Sequence, residues 1–222
     1  MEFLSTSIGR KIVMAVTGAC MVLFTIIHLL GNSSIFVGPS GINSYAEHLH
    51  SMPLPIIMAF RAVMLCLFLV HVLYGIQLTL ENSEGRPSAY AVKANRKATF
   101  ASENMIWTGL LLFAFIVYHL LHFTFRVTPG LTLGNDVTGH FNVFAMVASS
   151  FSTFAGAGLY AAAMVVLFLH LYHGIQSFFQ TIGQANDSTL PTIMTAGRFV
   201  ALVLFLGFAS IPLSILLGII KG

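Results

Sequence analysis

Apolar residues in this chain come in long unbroken runs, not in alternation. The first run spans Ile12 to Leu30, directly behind the basic pair Arg10-Lys11. The second covers Pro55 to Leu80, and the third Asn104 to Phe125, with Ser102 placed to cap it. The fourth covers Gly156 to Gln180, and the fifth Met194 to Ile220, with Pro212 placed to bend it. Each run is near the ~20 residues an α-helix needs to cross bilayer hydrocarbon. Phe141 to Thr153 predicts one more helix, lying along the surface. Segments of about ten alternating residues, the mark of a membrane β-barrel, do not occur. The pattern predicts an all-α membrane protein. Its single domain, residues 1–222, has five transmembrane helices at about 12–30, 55–80, 104–125, 156–180 and 194–220.

Composition agrees with that pattern. Charged residues make up 8% and hydrophobic ones 57%, with mean hydropathy +0.89. Soluble globular chains carry about 25% charged residues, so a soluble fold is excluded, and so is disorder. The net charge of +3 includes no basic run, which leaves nothing to bind nucleic acid. Cys20 and Cys66 sit inside apolar runs, so no disulfide framework is expected. The polar segment Met1 to Lys11 carries no cleavable signal, and insertion through the chain's own helices is expected. Arg10, Lys11, Arg86, Lys93, Arg96, Lys97 and Arg198 fall on one side of five spans, and Arg61, Arg126 and Lys221 on the other. The positive-inside rule then puts the N-terminus in the cytoplasm.

Nine histidines in so apolar a chain change the picture. His48, His50 and His140 fall in outer connections. His28, His71, His119, His122, His170 and His173 fall within spans, where a polar side chain is costly and marks function by default. A hydrogen bond to a carbonyl or hydroxyl would explain any one of them alone. Their spacing is organised, however. Thr17-Gly18 precedes His28 at the interval by which Thr108-Gly109 precedes His119, eleven residues from threonine to histidine. His71-x-x-x-Gly75-Ile76-Gln77 matches His170-x-x-x-Gly174-Ile175-Gln176. Spans one and two therefore repeat as spans three and four, in parallel orientation. His122 aligns with Gly31 and His173 with Tyr74, so neither has a counterpart. Counting along the runs puts His28 and His119 at an outer level and His71 and His170 at an inner one, offset by roughly 10 Å.

Two histidines per level, with no carboxylate inside the spans, do not meet the needs of zinc, which takes three or four protein ligands. Haem iron takes two axial nitrogens and brings a large apolar ring. No Cys-x-x-Cys-His occurs for covalent attachment. Gly75 and Gly174, one turn from a histidine, would let such a ring approach the backbone, although small residues also serve plain helix packing. Thr17 and Thr108 are small hydroxyl residues on the same faces as their histidines, near the inner level. A haem-free transporter or proton relay is the other class. It calls for broken helices and midplane acids, whereas Glu2, Glu47, Glu81, Glu84, Glu103, Asp136 and Asp187 all lie at span ends or in loops.

The set resembles the five-helix dihaem cytochrome b that anchors succinate dehydrogenase and fumarate reductase complexes in the membrane. The resemblance rests on Thr17-Gly18 followed by His28, Asn43-Ser44 with Ser51-Met52-Pro53, His71-x-x-x-Gly75, Tyr118-His119 and His170-x-x-x-Gly174. It implies two haem b groups, the outer on His28 and His119 and the inner on His71 and His170, each histidine an axial iron ligand. It implies a flavoprotein subunit and an iron–sulfur subunit on the cytoplasmic face of a bacterial inner membrane. Electrons would pass between succinate or fumarate and a quinone, menaquinone by expectation, and complexes of this type often dimerise.

The resemblance puts the quinone site near the outer haem. Glu47 is the first candidate for its proton transfer, with His50, His122 and Arg126 behind it; a solvated loop acid is the plainer reading of Glu47. Arg10, Lys11, Arg96, Lys97 and Arg198 could serve inner haem propionates and Arg126 the outer, or all could be interfacial anchors. Some fumarate reductases of this type carry a glutamate two residues before the fourth haem histidine; Phe168 stands there in this chain. A cytochrome b anchor of a hydrogenase or formate dehydrogenase is the alternative within the same chemistry.

Overall fold

The structure is a computed structural model that describes residues 6–84 and 99–221. Arg86, Lys93, Arg96 and Lys97 of the charge count lie outside the described residues. The elements are α1 Ser7–Asn32 with a 3-10 turn Ser33–Val37, α2 Pro39–His50, α3 Leu54–Glu84 and α4 Phe100–Glu103. They continue with α5 Met105–His119 and its π-turn Leu120–Thr124, α6 Val143–Phe151, α7 Phe154–Thr181 and α8 Leu190–Leu216. Five of them, α1, α3, α5 with its π-turn, α7 and α8, are long and apolar enough to cross a membrane.

The helix ends follow local chemistry. Thr6 caps α1 by accepting from the Gly9 amide, and Thr153 caps α7 by accepting from Gly156. Ser102 has a different place from the one expected. It is the third residue of α4, in a reciprocal capping box with Thr99, and α5 starts only after Asn104. The last span ends at Leu216 instead of Ile220. Gly218, at φ 70°, turns the chain so that its amide meets Ile215 O and the Ile219 amide meets Ser214 O. Gly183 ends α7 in the same way, with bonds to Gln180 O and from Gln184 to Phe179 O. α8 runs through Pro212 as one helix.

α1, α3, α5 and α7 form a ring in which each helix touches its two neighbours. The diagonals α1/α5 and α3/α7 face each other across the interior. α8 stands outside the ring, packed mainly on α7 and lightly on α1. Small residues allow this closeness: Ala201 is fully buried, a Cβ on Gly197 would lie 3.2 Å from Ile175, and one on Gly207 would lie 2.6 Å from Leu29. α3 contributes one buried residue, Leu78, and its flanks are apolar and exposed, as suits a helix against lipid.

The end of the bundle that carries Ser7 is the near end; the other, which carries α2 and α6, is the far end. α6 is packed into the bundle. Phe144, Met146, Val147, Ala148, Ser150 and Phe151 are buried, and the apolar ones among them join Ile35, Ile42, Tyr160 and Ile211 in the largest apolar cluster of the described residues. Buried Asn43 on α2 ties this cap together. Its amide reaches Asp136 at 3.3 Å and Asn142 at 3.2 Å, and its carbonyl accepts from the Phe144 amide at 2.9 Å.

Candidate functional site

The four repeated histidines meet as two pairs across the diagonals. The His28 and His119 ring centres are 6.0 Å apart with planes at 88°. The His71 and His170 centres are 6.4 Å apart with planes at 71°. An imidazole nitrogen binds a first-row metal at about 2.0–2.1 Å and the ring centre lies roughly 1.1 Å behind it, so two rings on opposite sides of one metal ion sit about 6.3 Å apart, centre to centre. Both pairs have that spacing. Among the described residues no group of three or more His, Cys, Asp or Glu side chains converges on a metal position. Two-coordinate donor sets of this kind suit a metal whose remaining ligands come with a macrocycle.

Hydrogen bonding selects the free nitrogen in each ring. At the near level the Thr17 hydroxyl donates to Val13 O at 2.8 Å and lies 3.4 Å from His71 Nδ1, which is also 3.0 Å from Met14 O. Both are acceptors, so Nδ1 carries the proton and Nε2 keeps its lone pair. The second half of the chain repeats this. The Thr108 hydroxyl donates to Met105 O at 3.0 Å and lies 3.1 Å from His170 Nδ1. The threonines were expected to leave room near the inner level; they lie at that level, and they hold the histidines.

The glycines beside those threonines have a role the spacing did not announce. A Cβ on Gly18 would lie 3.0 Å from His71 Cε1, and one on Gly109 would lie 3.4 Å from His170 Cε1. The Nδ1–Cε1 edge of each imidazole lies close against the preceding span in its own half, where a side chain would crowd it. Gly75 and Gly174 border open space: a Cβ on Gly174 would meet nothing within 4 Å, and one on Gly75 only Met14 Sδ at 4.0 Å. A ring system could approach the backbone there.

Because Thr17 and Gly18 touch His71, the near level is fixed on α1. His28 lies eleven residues further along, a rise of about 16 Å. The levels are thus further apart than the expected 10 Å. The ends of the apolar runs do not mark a common plane across the bundle, and the contacts of His71 with Thr17 and Met14 set the level directly.

At the far level His28 stacks on Phe24 at 5.4 Å and tilts against Phe208 of α8 at 5.9 Å. His119 Nδ1 lies 3.5 Å from the Tyr160 hydroxyl. His122 is buried and lies 2.9 Å, through Nδ1, from the same hydroxyl. His173 is half-buried on α7.

Glu47, on α2, lies at the far end. Its carboxylate meets His140 Nε2 at 3.1 Å. With His50, Arg126 and Phe141 they line a cavity of about 230 Å³. The Arg126 guanidinium lies over the Phe141 ring at 3.7 Å, and its backbone takes φ 59°. His122 is not among the lining residues. His140, set aside with the outer connections in the sequence, is thus the direct partner of the leading quinone-site candidate. At the other end Arg10 pairs with Glu81 at 2.7 Å, Lys11 is exposed, and Arg198 lies two turns inside α8 above Tyr172. Phe168 packs against Tyr172 and Phe205.

With this geometry the chain can be compared with known proteins. Residues 9–101 match the family of succinate dehydrogenase/fumarate reductase transmembrane subunits. The match supports the family that the sequence resembles. It takes in α1, α2 and α3, with His28, Glu47 and His71, and stops before α5 and α7 supply His119 and His170. Neither the curated proteins nor the solved structures include a match to the chain. Five apolar helices and the transmembrane family agree on a multi-pass membrane protein.

Proposed function

We propose that the chain is the membrane-anchor dihaem cytochrome b subunit of a succinate:quinone oxidoreductase or quinol:fumarate reductase. The observation that carries this reading is the pairing of four imidazoles at two levels, each pair at the spacing of rings that share one metal. His28 and His119 would hold the far haem, and His71 and His170 the near haem. Bound there, the two haem groups would supply a path for electrons along the bundle axis.

The chain's own residues do the rest. Thr17 and Thr108 keep the near-level Nε2 atoms free of protons, and Gly18 and Gly109 leave room for the imidazole edges. Gly75 and Gly174 admit a flat ring. At the far end the Glu47 and His140 pair provides a carboxylate and an imidazole able to take up and release protons as a quinone changes state. A cavity of about 230 Å³ is below the ~300–1,000 Å³ of whole-ligand pockets, so it suits a quinone ring whose tail stays in lipid. Menaquinone is the quinone we expect. The near end, with the N-terminus, would face the cytoplasm and the flavoprotein and iron–sulfur partners.

The test is spectroscopic. Purified protein should carry about two low-spin b-type haems per chain. His71→Ala should remove the near one and His28→Ala the far one. A well-folded preparation without a Soret band, or single variants that keep both haems, would refute the assignment. The proteins that copurify separate this complex from a hydrogenase or formate dehydrogenase anchor.

A further inference from the structure

The two levels are not equivalent. The near-level histidines each lean on a threonine of their own half. At the far level His119 has Tyr160, which comes from α7 and has no threonine counterpart. Tyr160 is buried among Phe115, Phe123 and Phe151, with ring centres at 4.8–5.6 Å. Its hydroxyl lies between two imidazoles, His122 Nδ1 at 2.9 Å and His119 Nδ1 at 3.5 Å. The π-turn Leu120–Thr124 starts directly after His119 and carries His122 to the same tyrosine.

Proton counting gives this contact a direction. A phenol has one hydrogen to donate. If Tyr160 gave it to His119 Nδ1, the His119 proton would sit on Nε2 and the ring could not bind a metal through that atom. If Tyr160 gives it to His122, at the shorter distance, its oxygen accepts from His119 Nδ1–H and Nε2 is free. The chain then runs His119 Nδ1–H to Tyr160 Oη, and Tyr160 Oη–H to His122 Nδ1. A hydroxyl drawn toward one partner is a stronger acceptor for the other. A ligand histidine whose far nitrogen donates to a good acceptor is more basic and favours the oxidised metal. On the other side of the pair, His28 rests on the rings of Phe24 and Phe208.

We propose that Tyr160 is a positioning residue for the far-level ligand His119, with His122 as the anchor that sets the direction of its hydroxyl. The proposal rests on the haem reading above. It assigns Tyr160 and His122 to tuning the far centre, and it takes His122 out of the quinone pocket.

The experiment uses the full chain, purified with both haems. Haem per chain is measured first, and a potentiometric titration then resolves the two centres in wild type, Tyr160→Phe, His122→Leu and His122→Gln. Tyr160→Phe keeps the ring packing and removes only the acceptor. Its far haem should lose ferric preference by on the order of tenfold, an upward shift of about 59 mV for a one-electron couple, while the near haem stays put. His122→Leu should reproduce the shift. His122→Gln, whose amide oxygen can accept from Tyr160, should return the potential toward wild type. Loss of the far haem alone in Tyr160→Phe, with an upward shift in His122→Leu, also supports the proposal. An unmoved far potential in either Tyr160→Phe or His122→Leu, or an equal shift of both centres, overturns it. A wild-type chain without haem overturns the haem reading itself, so the two failures are distinct.

Discussion

Gly18→Ala and Gly109→Ala form a matched pair whose outcomes should differ. Both glycines lie against a near-level histidine, and the substitution adds one methyl to each. At Gly18 the new Cβ would be 3.0 Å from His71 Cε1 and 3.3 Å from Nδ1. Carbon atoms prefer a separation of about 3.5–4.0 Å, so the ring must move by roughly 0.5 Å. A ligand bond of about 2.0 Å does not absorb such a displacement without loss. The Thr17 and Met14 contacts oppose the same movement. At Gly109 the distance to His170 Cε1 is 3.4 Å, close to ordinary contact.

We therefore expect Gly18→Ala to weaken near-haem binding by about 10- to 100-fold, or roughly 1.4–2.7 kcal/mol. Gly109→Ala should stay within about threefold, or roughly 0.6 kcal/mol. Alanine is the better helix former by up to about 1 kcal/mol, so neither variant should lower helix stability. The assay is haem titration of apoprotein, with spectra that separate the two centres, alongside thermal melting followed by circular dichroism. Full near-haem occupancy in Gly18→Ala, or loss of the far haem instead, would refute the reasoning.

Other expectations follow from the far-end cap. Glu47→Gln should suppress quinol oxidation by the assembled complex while fumarate reduction from an artificial donor continues; equal quinol activity excludes Glu47 as the proton group. Asn43→Ala removes the contacts to Asp136, Asn142 and the Phe144 amide. It should destabilise the cap by about 2–3 kcal/mol, read as faster protease cleavage between α5 and α6, and an unchanged rate would contradict the assigned tie. The Thr138 hydroxyl, with the Thr138 and His140 amides, holds the Asp136 carboxyl below the usual aspartate range. A depressed carboxylate stabilises the fold above its unfolded pKa and loses that contribution as pH falls through the folded one. Cap stability should thus decline on the acid side, and Asp136→Asn should flatten that limb in a pH series of the same cleavage assay.

The five spans were legible because membrane helices declare themselves by uninterrupted apolar length. The histidine pairs were legible because the chain states them twice. What escaped has physical reasons. The spacing of the levels was compressed because run ends do not mark a common plane, and the register between α1 and α3 is set by tertiary contacts, His71 with Thr17 and Met14 and Arg10 with Glu81. The burial of α6 was hidden because its companions are distant: Asn43 reaches Phe144 across 101 positions. Glu47 and His140 meet for the same reason, through a folded loop that periodicity does not describe. Tyr160 left no signal, since one tyrosine in an aromatic-rich helix reads as packing. Gly18 and Gly109 were in view as the repeated Thr-Gly pair, but their contact with the histidine of the following span is tertiary and left no mark in the spacing.

Each hairpin, α1 with α3 and α5 with α7, orients its own near-level imidazole with its own hydroxyl, but neither owns a complete pair. If the pairs hold haem as proposed, the two halves are unfinished sockets, and a guest gripped by both would be the clasp between them. On that view assembly and loading are one event: the hairpins could enter the bilayer separately, and the arrival of the guest would lock them into register.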